Sequence, residues 1–277
     1  MGREMQASKE NGPDLWRTCL PAPRLEQHKY DRGHALVAGG YPMTGAARLA
    51  ARAAARVGAG MTTIAVPEIS FPIYATALTS ITVEPLSLNR TLEDLLAQAS
   101  FDAVLIGCGA GVNEATRNNV KLLLASNIPV VLDADALTSF SEDPTKLFEM
   151  SRHECVMTPH ESEFARLFDL AGTRTERAVA AAALSRAIVV LKGHETIIAA
   201  PDGRSIVNTN APTSLATAGS GDVLGGIILG LLAQGMPAYE AAAAGVWMHA
   251  SAAALFGRGL IADDLPDLLP QVLKQLI

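Results

Sequence analysis

Short runs of aliphatic and β-branched residues recur along the chain, separated by longer stretches whose apolar positions follow helical spacing. The runs at 35–38, 62–66, 103–106, 129–132, 155–157 and 188–191 predict strands. Their alternation with helical stretches predicts repeated βαβ units around a mostly parallel sheet. Segments 196–200 and 205–208, joined by Pro201-Asp202-Gly203-Arg204, predict a hairpin, because Asp-Gly supplies turn dihedrals, and this hairpin is expected to end the sheet. A helix is expected over 44–57, with Thr44 capping its start and Gly58 taking a left-handed conformation beyond its end. Three more follow at 222–234, 237–256 and 264–275, with Gly235 and Gly257 as stops. The expected fold class is α/β: a three-layer α/β/α domain with a central, mostly parallel sheet. Residues 1–25 read as a loose polar arm and 26–277 as a single domain, with no linker, repeat or low-complexity tract.

Composition narrows the class of protein. Of 277 residues, 49% are hydrophobic and 18% charged, which is ample apolar surface for a large core and unlike a disordered chain. A net charge of −6 provides no basic field for nucleic acid or an anionic membrane, so a polyanionic ligand needs a local site. The first 25 residues are polar and broken by prolines, unlike a secretory signal. The apolar runs at 223–234 and 241–257 are too short or too alanine-rich to span a bilayer, and a cytoplasmic protein is expected. Cys19, Cys108 and Cys155 are widely spaced without zinc-ligand patterning, and read as free thiols. The alanines at 241–254 suit either self-association, as a homo-oligomer such as a tetramer, or packing inside one chain.

Chemistry gathers in the glycine-rich and polar junctions where strands should end, since open parallel sheets bind ligands there. In Ala218-Gly219-Ser220-Gly221-Asp222, small residues let backbone N–H groups approach an anion, and the following helix adds its positive dipole end. An acidic side chain inside such a phosphate cradle suits a base that takes the proton of an attacking hydroxyl. Asp is equally a good helix cap, and spacing alone leaves both readings open. Asp133 and Asp135 follow a buried strand, where paired carboxylates suit either a hydrated magnesium ion or simple turn formation. Gly107-Cys108-Gly109-Ala110-Gly111 follows another strand, but its third glycine falls one place early for a dinucleotide fingerprint. A P-loop is excluded because the chain contains no G-x-x-x-x-G-K-[ST] sequence.

Taken together, these junctions resemble the ADP-dependent NAD(P)H-hydrate dehydratases of the ribokinase-like superfamily. The segment Leu215 to Gly226 resembles that branch most closely, and four others match in order: 39–50, 107–111, 133–137 with 158–164, and 192–196. The resemblance covers roughly residues 28–275. It implies that Lys192, Gly193, His194, Glu195 and Thr196 contact the AMP part of a nucleotide, with Gly219, Ser220 and Gly221 cradling phosphate. It implies substrate contacts from Ala46, Gly109, His160 and Asp222, with Asp222 as the catalytic base. Asp133 and Glu163 would organise Mg2+ indirectly. Cys108 and Ala110 depart from the family's glycine-proline-glycine-leucine-glycine loop, making that match weaker.

The activity so implied is dehydration of the S-epimer of hydrated NADH or NADPH, a carbon–oxygen lyase reaction in nucleotide repair. ADP, or ATP, is the co-substrate and phosphorylation a transient step. The arm is too short for the epimerase domain found in many relatives, so a dehydratase alone is expected, with a separate epimerase in the same pathway. Two other readings stay open: a kinase of the same fold acting on a hydroxymethylpyrimidine or hydroxyethylthiazole, and an inactive nucleotide-binding regulator. The residues themselves do not read ADP against ATP, or NADH hydrate against NADPH hydrate.

Overall fold

The structure, a computed structural model, describes residues 9–276. Ten strands form one sheet: β1 (Lys9–Glu10), β2 (His34–Ala38), β3 (Met61–Pro67), β4 (Thr82–Leu86), β5 (Ala103–Ile106), β6 (Val130–Leu132), β7 (Cys155–Met157), β8 (Ile188–Leu191), β9 (Thr196–Ala199) and β10 (Ser205–Asn208). Their order is β1-β10-β9-β8-β7-β6-β5-β2-β3-β4. Neighbours run parallel except β9, which is antiparallel to both β8 and β10. The central strands are almost wholly apolar because both faces are covered. One face carries α1 (Thr44–Arg56), α9 (Ser220–Ala233), α10 (Ala238–Phe256) and α11 (Leu265–Lys274). The other carries α3 (Leu92–Gln98), α4 (Glu114–Ala125), α5 (Asp135–Thr138), α6 (Pro144–Met150), α7 (Glu161–Leu167) and α8 (Arg174–Ser185). A short α2 (Phe71–Ala77) leads into β4. This is the expected three-layer α/β/α arrangement.

Several expectations require revision. The hairpin does not end the sheet, because Lys9 and Glu10 pair beyond β10. The arm is therefore docked over Lys9 to Leu20, while 22–25 are exposed. Asn11 is buried and donates to Asn208 Oδ1 at 3.0 Å and to the Ala243 carbonyl at 2.8 Å. Trp16 is fully buried, donates its indole N–H to Asn11 Oδ1 and meets Trp247 edge-on at 5.8 Å. The first eight residues of the arm lie outside the described residues. Strand β4 was not anticipated, since Glu84 and Pro85 interrupt its apolar pattern. Thr44 is the first helical residue and not the cap, a position held by Met43 without any side-chain bond. Gly58 does take a positive φ, of 121°. The alanines of α10 at 241–244, 250, 252 and 253 are buried within the chain, whereas Ala254 is exposed beside Leu255 and Phe256.

Close packing of α1 on α9 sets the depth of the site. A methyl group at Gly226 would lie 2.1 Å from the Ala50 carbonyl oxygen, and one at Gly230 2.7 Å from that of Ala54. Glycine on α9 and alanine on α1 thus let two backbones touch, bringing the N-terminus of α9 over the ends of β5 and β6. Gly226→Ala should destabilise the protein by about 3 kcal/mol, because backbone cannot yield as a side-chain tip does. Gly45→Ala, in the first turn of α1 with nothing within 4 Å, should be neutral or slightly stabilising. Urea denaturation of both variants checks the contrast.

Candidate active site

The sheet order reverses between β2 and β5, and the loops that follow these two strands meet at the C-terminal edge. Only glycine permits the contact: a Cβ at Gly40 would fall 1.6 Å from the Gly109 carbonyl oxygen, and one at Gly107 1.8 Å from that of Asp133. Gly107, Gly109 and Gly111 all have positive φ, at 124°, 69° and 80°. Asp135 accepts from the Gly111 N–H at 2.8 Å, tying this loop to the start of α5. Its carboxylate is thus spent on loop structure. Tyr74 donates to the Gly40 carbonyl at 2.8 Å from behind. Ala46 lies in the first turn of α1, half-buried against the core.

Asp133 leaves the end of β6 and is 2% exposed. Its Oδ1 accepts from Thr158 Oγ1 at 2.7 Å and from Lys192 Nζ at 2.8 Å. Lys192, at the end of β8, is also 3.9 Å from Glu163. Burial opposes the Lys192 ammonium, but Asp133 and Glu163 outweigh it and hold its pKa above the ordinary value. The lysine is therefore a fixed cation among carboxylates. Its position is set from behind by Arg174, which donates to the carbonyls of Leu191 and Lys192. Beyond it, Gly193, His194 and Glu195 form an exposed turn closed by Thr196, whose hydroxyl bonds back to Gly193.

The glycine-aspartate junction opens α9. Gly219 is the cap residue, in a left-handed conformation (φ 86°), and no side chain caps the helix. Asp222 is the third helical residue and makes no capping bond, which removes the reading of it as a cap. Its carboxylate, the Asp133 carboxylate and the Cys108 thiol approach to within 4.8 Å of one another. Burial pushes the Asp222 pKa up to about 6; Cys108 and Lys192 pull it down, while Asp133 and Asp135 add to the rise. A carboxyl so tuned titrates near neutrality and is suited to accept a proton. Gly221 sits beside Lys192, since a Cβ there would lie 3.5 Å from Nζ. Lys192, Gly193, Thr196, Ser220 and Gly221 line one cavity of about 480 Å³.

His160 is the N-cap of α7, accepting through Nδ1 from the backbone of Ser162 and Glu163, while Glu163 accepts the His160 N–H at 2.8 Å. His160 thus caps this helix, and its exposed ring also stands at the site's rim, where the His160 and Lys192 backbones pair. The thiol of Cys108 is fully buried with its pKa raised well above the usual value by burial, then by Asp222 and Asp133. A protonated thiol is a poor ligand for a hard ion; Asp133, with Glu163 close to the same lysine, would suit magnesium held through water.

A family model described as NAD(P)H-hydrate dehydratase matches residues 34–274. The chain belongs to the NAD(P)H-hydrate dehydratase family. An ADP-dependent (S)-NAD(P)H-hydrate dehydratase of Neisseria meningitidis is 36% identical, over 93% of this chain and 93% of its own length. A bifunctional NAD(P)H-hydrate repair enzyme of Salinibacter ruber is 38% identical over 92% of this chain, which spans about half (51%) of that relative. The ADP/ATP-dependent NAD(P)H-hydrate dehydratase of Bacillus subtilis, co-crystallised with ATP and Mg2+, superposes with a TM-score of 0.84 at 30% identity, covering 98% of this chain and 99% of that one. Membership accounts for the ribokinase-like architecture. No helix among the described residues is long and apolar enough to cross a membrane.

The structure brings together Asp222, Gly219, Ser220, Gly221, Lys192, Asp133 and Glu163 at one edge of this family fold, with Gly109, Ala46 and His160 around it. It adds Arg174, which acts only through contacts distant in sequence, so no local motif marks it; Thr158 and Cys108 lie in the matched segments 158–164 and 107–111, but their bonds to the carboxylates are not visible there. Lys192→Met should cost about 3–4 kcal/mol in urea denaturation, because it strands a buried carboxylate. Asp133→Asn combined with Lys192→Met should recover more than half of that loss.

Proposed function

We propose that this chain catalyses ADP-dependent dehydration of the S-epimer of NAD(P)H hydrate, with residues 26–277 acting as one domain. The observation that carries the reading is Asp222: a half-buried carboxylate, free of capping duty and with a pKa of about 6, at the mouth of a backbone phosphate cradle. In this reading Asp222 takes the proton of the ring hydroxyl as that oxygen attacks the β-phosphoryl group of ADP. AMP leaves. The ring nitrogen's lone pair then expels phosphate with the carbon–oxygen bond, the adjacent carbon loses a proton, and the ring double bond of NADH or NADPH returns. The Gly219–Gly221 backbone and the α9 dipole stabilise negative charge at the phosphates, so positioning and electrostatics supply most of the catalysis.

Lys192 pairs with Asp133 and sits beside Gly221, joining the base's surroundings to the cradle. Asp133, with Glu163 behind it, would hold magnesium through water. When bound, that ion would neutralise phosphate charge. In this reading residues 192–196 serve the nucleotide and Ala46, Gly109 and His160 the hydrate. The reading extends to a separate or fused epimerase supplying the S-epimer, as the bifunctional relatives suggest, and to a homo-oligomer.

Mixing the protein with hydrated cofactor, magnesium and ADP should restore dihydronicotinamide absorbance; no recovery with ADP or ATP would sink the proposal. Stable phosphorylated alcohol as product would indicate a kinase instead. Asp222→Asn should keep ADP binding and lose turnover by several orders of magnitude. In the wild type, turnover should rise with pH through about 6 and then level, as the base loses its proton. Stability should run the other way. A carboxyl pKa raised in the folded state favours the protonated form, so Asp222 costs nothing below about 4 and its full penalty above about 6. Asp222→Asn should therefore be more stable than wild type at neutral pH, on the order of 2 kcal/mol, with the gap closing as pH falls to about 4. Thermal melts across that range measure it.

A further inference from the structure

The cavity beside the cradle has a wall formed by α10. His249, in the middle of that helix, is 6% exposed and lines the cavity with Lys192, Thr196, Ser220 and Gly221. One of its ring nitrogens is hydrogen-bonded to the backbone of Ser220, the first residue of α9. That bond favours a protonated nitrogen, so the ring donates there. The other nitrogen, Nε2, is buried and has no partner. A buried acceptor left unpaired costs about 1–3 kcal/mol, and five such side-chain atoms occur among the described residues.

Burial also lowers the His249 pKa to about 4, so the ring is neutral at working pH and Nε2 keeps its lone pair. A bare acceptor rejects the phosphate end of a nucleotide, which brings only acceptors of its own, and selects a donor. A nucleoside offers two kinds: ribose hydroxyls and an exocyclic amine. Because the first nitrogen is committed to Ser220, the imidazole has only Nε2 for a ligand. The same side chain therefore joins the start of α9 to the wall of the cavity.

We infer that His249 is a specificity-determining residue, accepting through Nε2 a hydrogen bond from the nucleoside part of the bound nucleotide while its other nitrogen anchors Ser220. This rests on the reading of the cavity as the ADP site. It separates His249 from the base Asp222: His249 contributes to holding nucleotide, not to moving the substrate proton.

Isothermal titration with ADP tests it, using wild type, His249→Asn and His249→Gln. Asparagine can keep a short amide donor toward Ser220 and removes the distal acceptor; glutamine places a carbonyl oxygen near the Nε2 position. His249→Asn should weaken ADP binding about tenfold, the loss of one well-made hydrogen bond, and His249→Gln should regain most of it. KM for ADP should rise in parallel, with kcat and the KM for hydrate changed less than threefold. Unaltered protein gives a second arm that needs no folded variant. Of 2′-deoxy-ADP, 3′-deoxy-ADP and inosine diphosphate, the one lacking the matched donor should bind about tenfold more weakly than ADP, which identifies the donor. Wild-type ADP affinity in His249→Asn, or equal binding of all three analogues, overturns the inference while leaving the dehydratase reading intact. Failure of wild type to bind ADP at all overturns the nucleotide-site reading, and this inference with it.

Discussion

A lysine ammonium enclosed by carboxylates holds the catalytic edge together. Lys192 is 17% exposed and sits 2.8 Å from an Asp133 carboxylate that is itself almost wholly out of water. Neither charge is tolerable alone at that depth, so each fixes the other, and with them the ends of β6 and β8. Thr158 adds a hydrogen bond from the end of β7 between them, and Arg174 clamps the carbonyls on either side of the lysine. Gly221 lies beside the ammonium, since a Cβ there would be 3.5 Å from Nζ, so this pair and the packing of α1 on α9 together frame Asp222.

The same pair governs electrostatics. Burial alone would drive the Asp222 proton affinity high, and the neighbouring Asp133 would drive it higher; Lys192 and the Cys108 thiol restrain the rise, and the balance is a pKa of about 6. A base with that value is mostly ionised at neutral pH yet keeps useful proton affinity. The cost is a destabilised carboxylate in the folded protein, the kind of local expense that functional sites carry and cores do not. Backbone contacts at Gly40, Gly107 and Gly226 supply the rigidity against which that strain is held.

Most of the fold was legible because parallel strands buried on both faces must be apolar throughout: β5, β7 and β8 stand where the residue pattern places them, and β10 where the Asp-Gly turn does. The failures share a cause. Strand β1 is two residues long and β4 carries Glu84 and Pro85, so both are specified by neighbouring strands and not by their own pattern. Trp16 gave no local sign that the arm would dock. At the site, the glycine-aspartate junction, Asp133 and the 192–196 turn were visible as motifs. The sequence could not show that Asp222 lies outside the cap position, since one turn's shift in the helix start decides it. Nor could it place Cys108 against Asp222 or His249 in the wall of the cavity beside Lys192 and Gly221. The one available signal for His249 was a lone ionisable residue inside the long alanine-rich run of α10, where an unpaired polar group is costly.

The central claim is that the ring hydroxyl, deprotonated by Asp222, leaves as phosphate and not as water. Hydrate carrying a heavy oxygen isotope in that hydroxyl tests it directly, by mass spectrometry of the products formed with unlabelled ADP and magnesium. The account predicts one labelled oxygen in every inorganic phosphate released and none in water. Label appearing in water, with unlabelled phosphate, would contradict it.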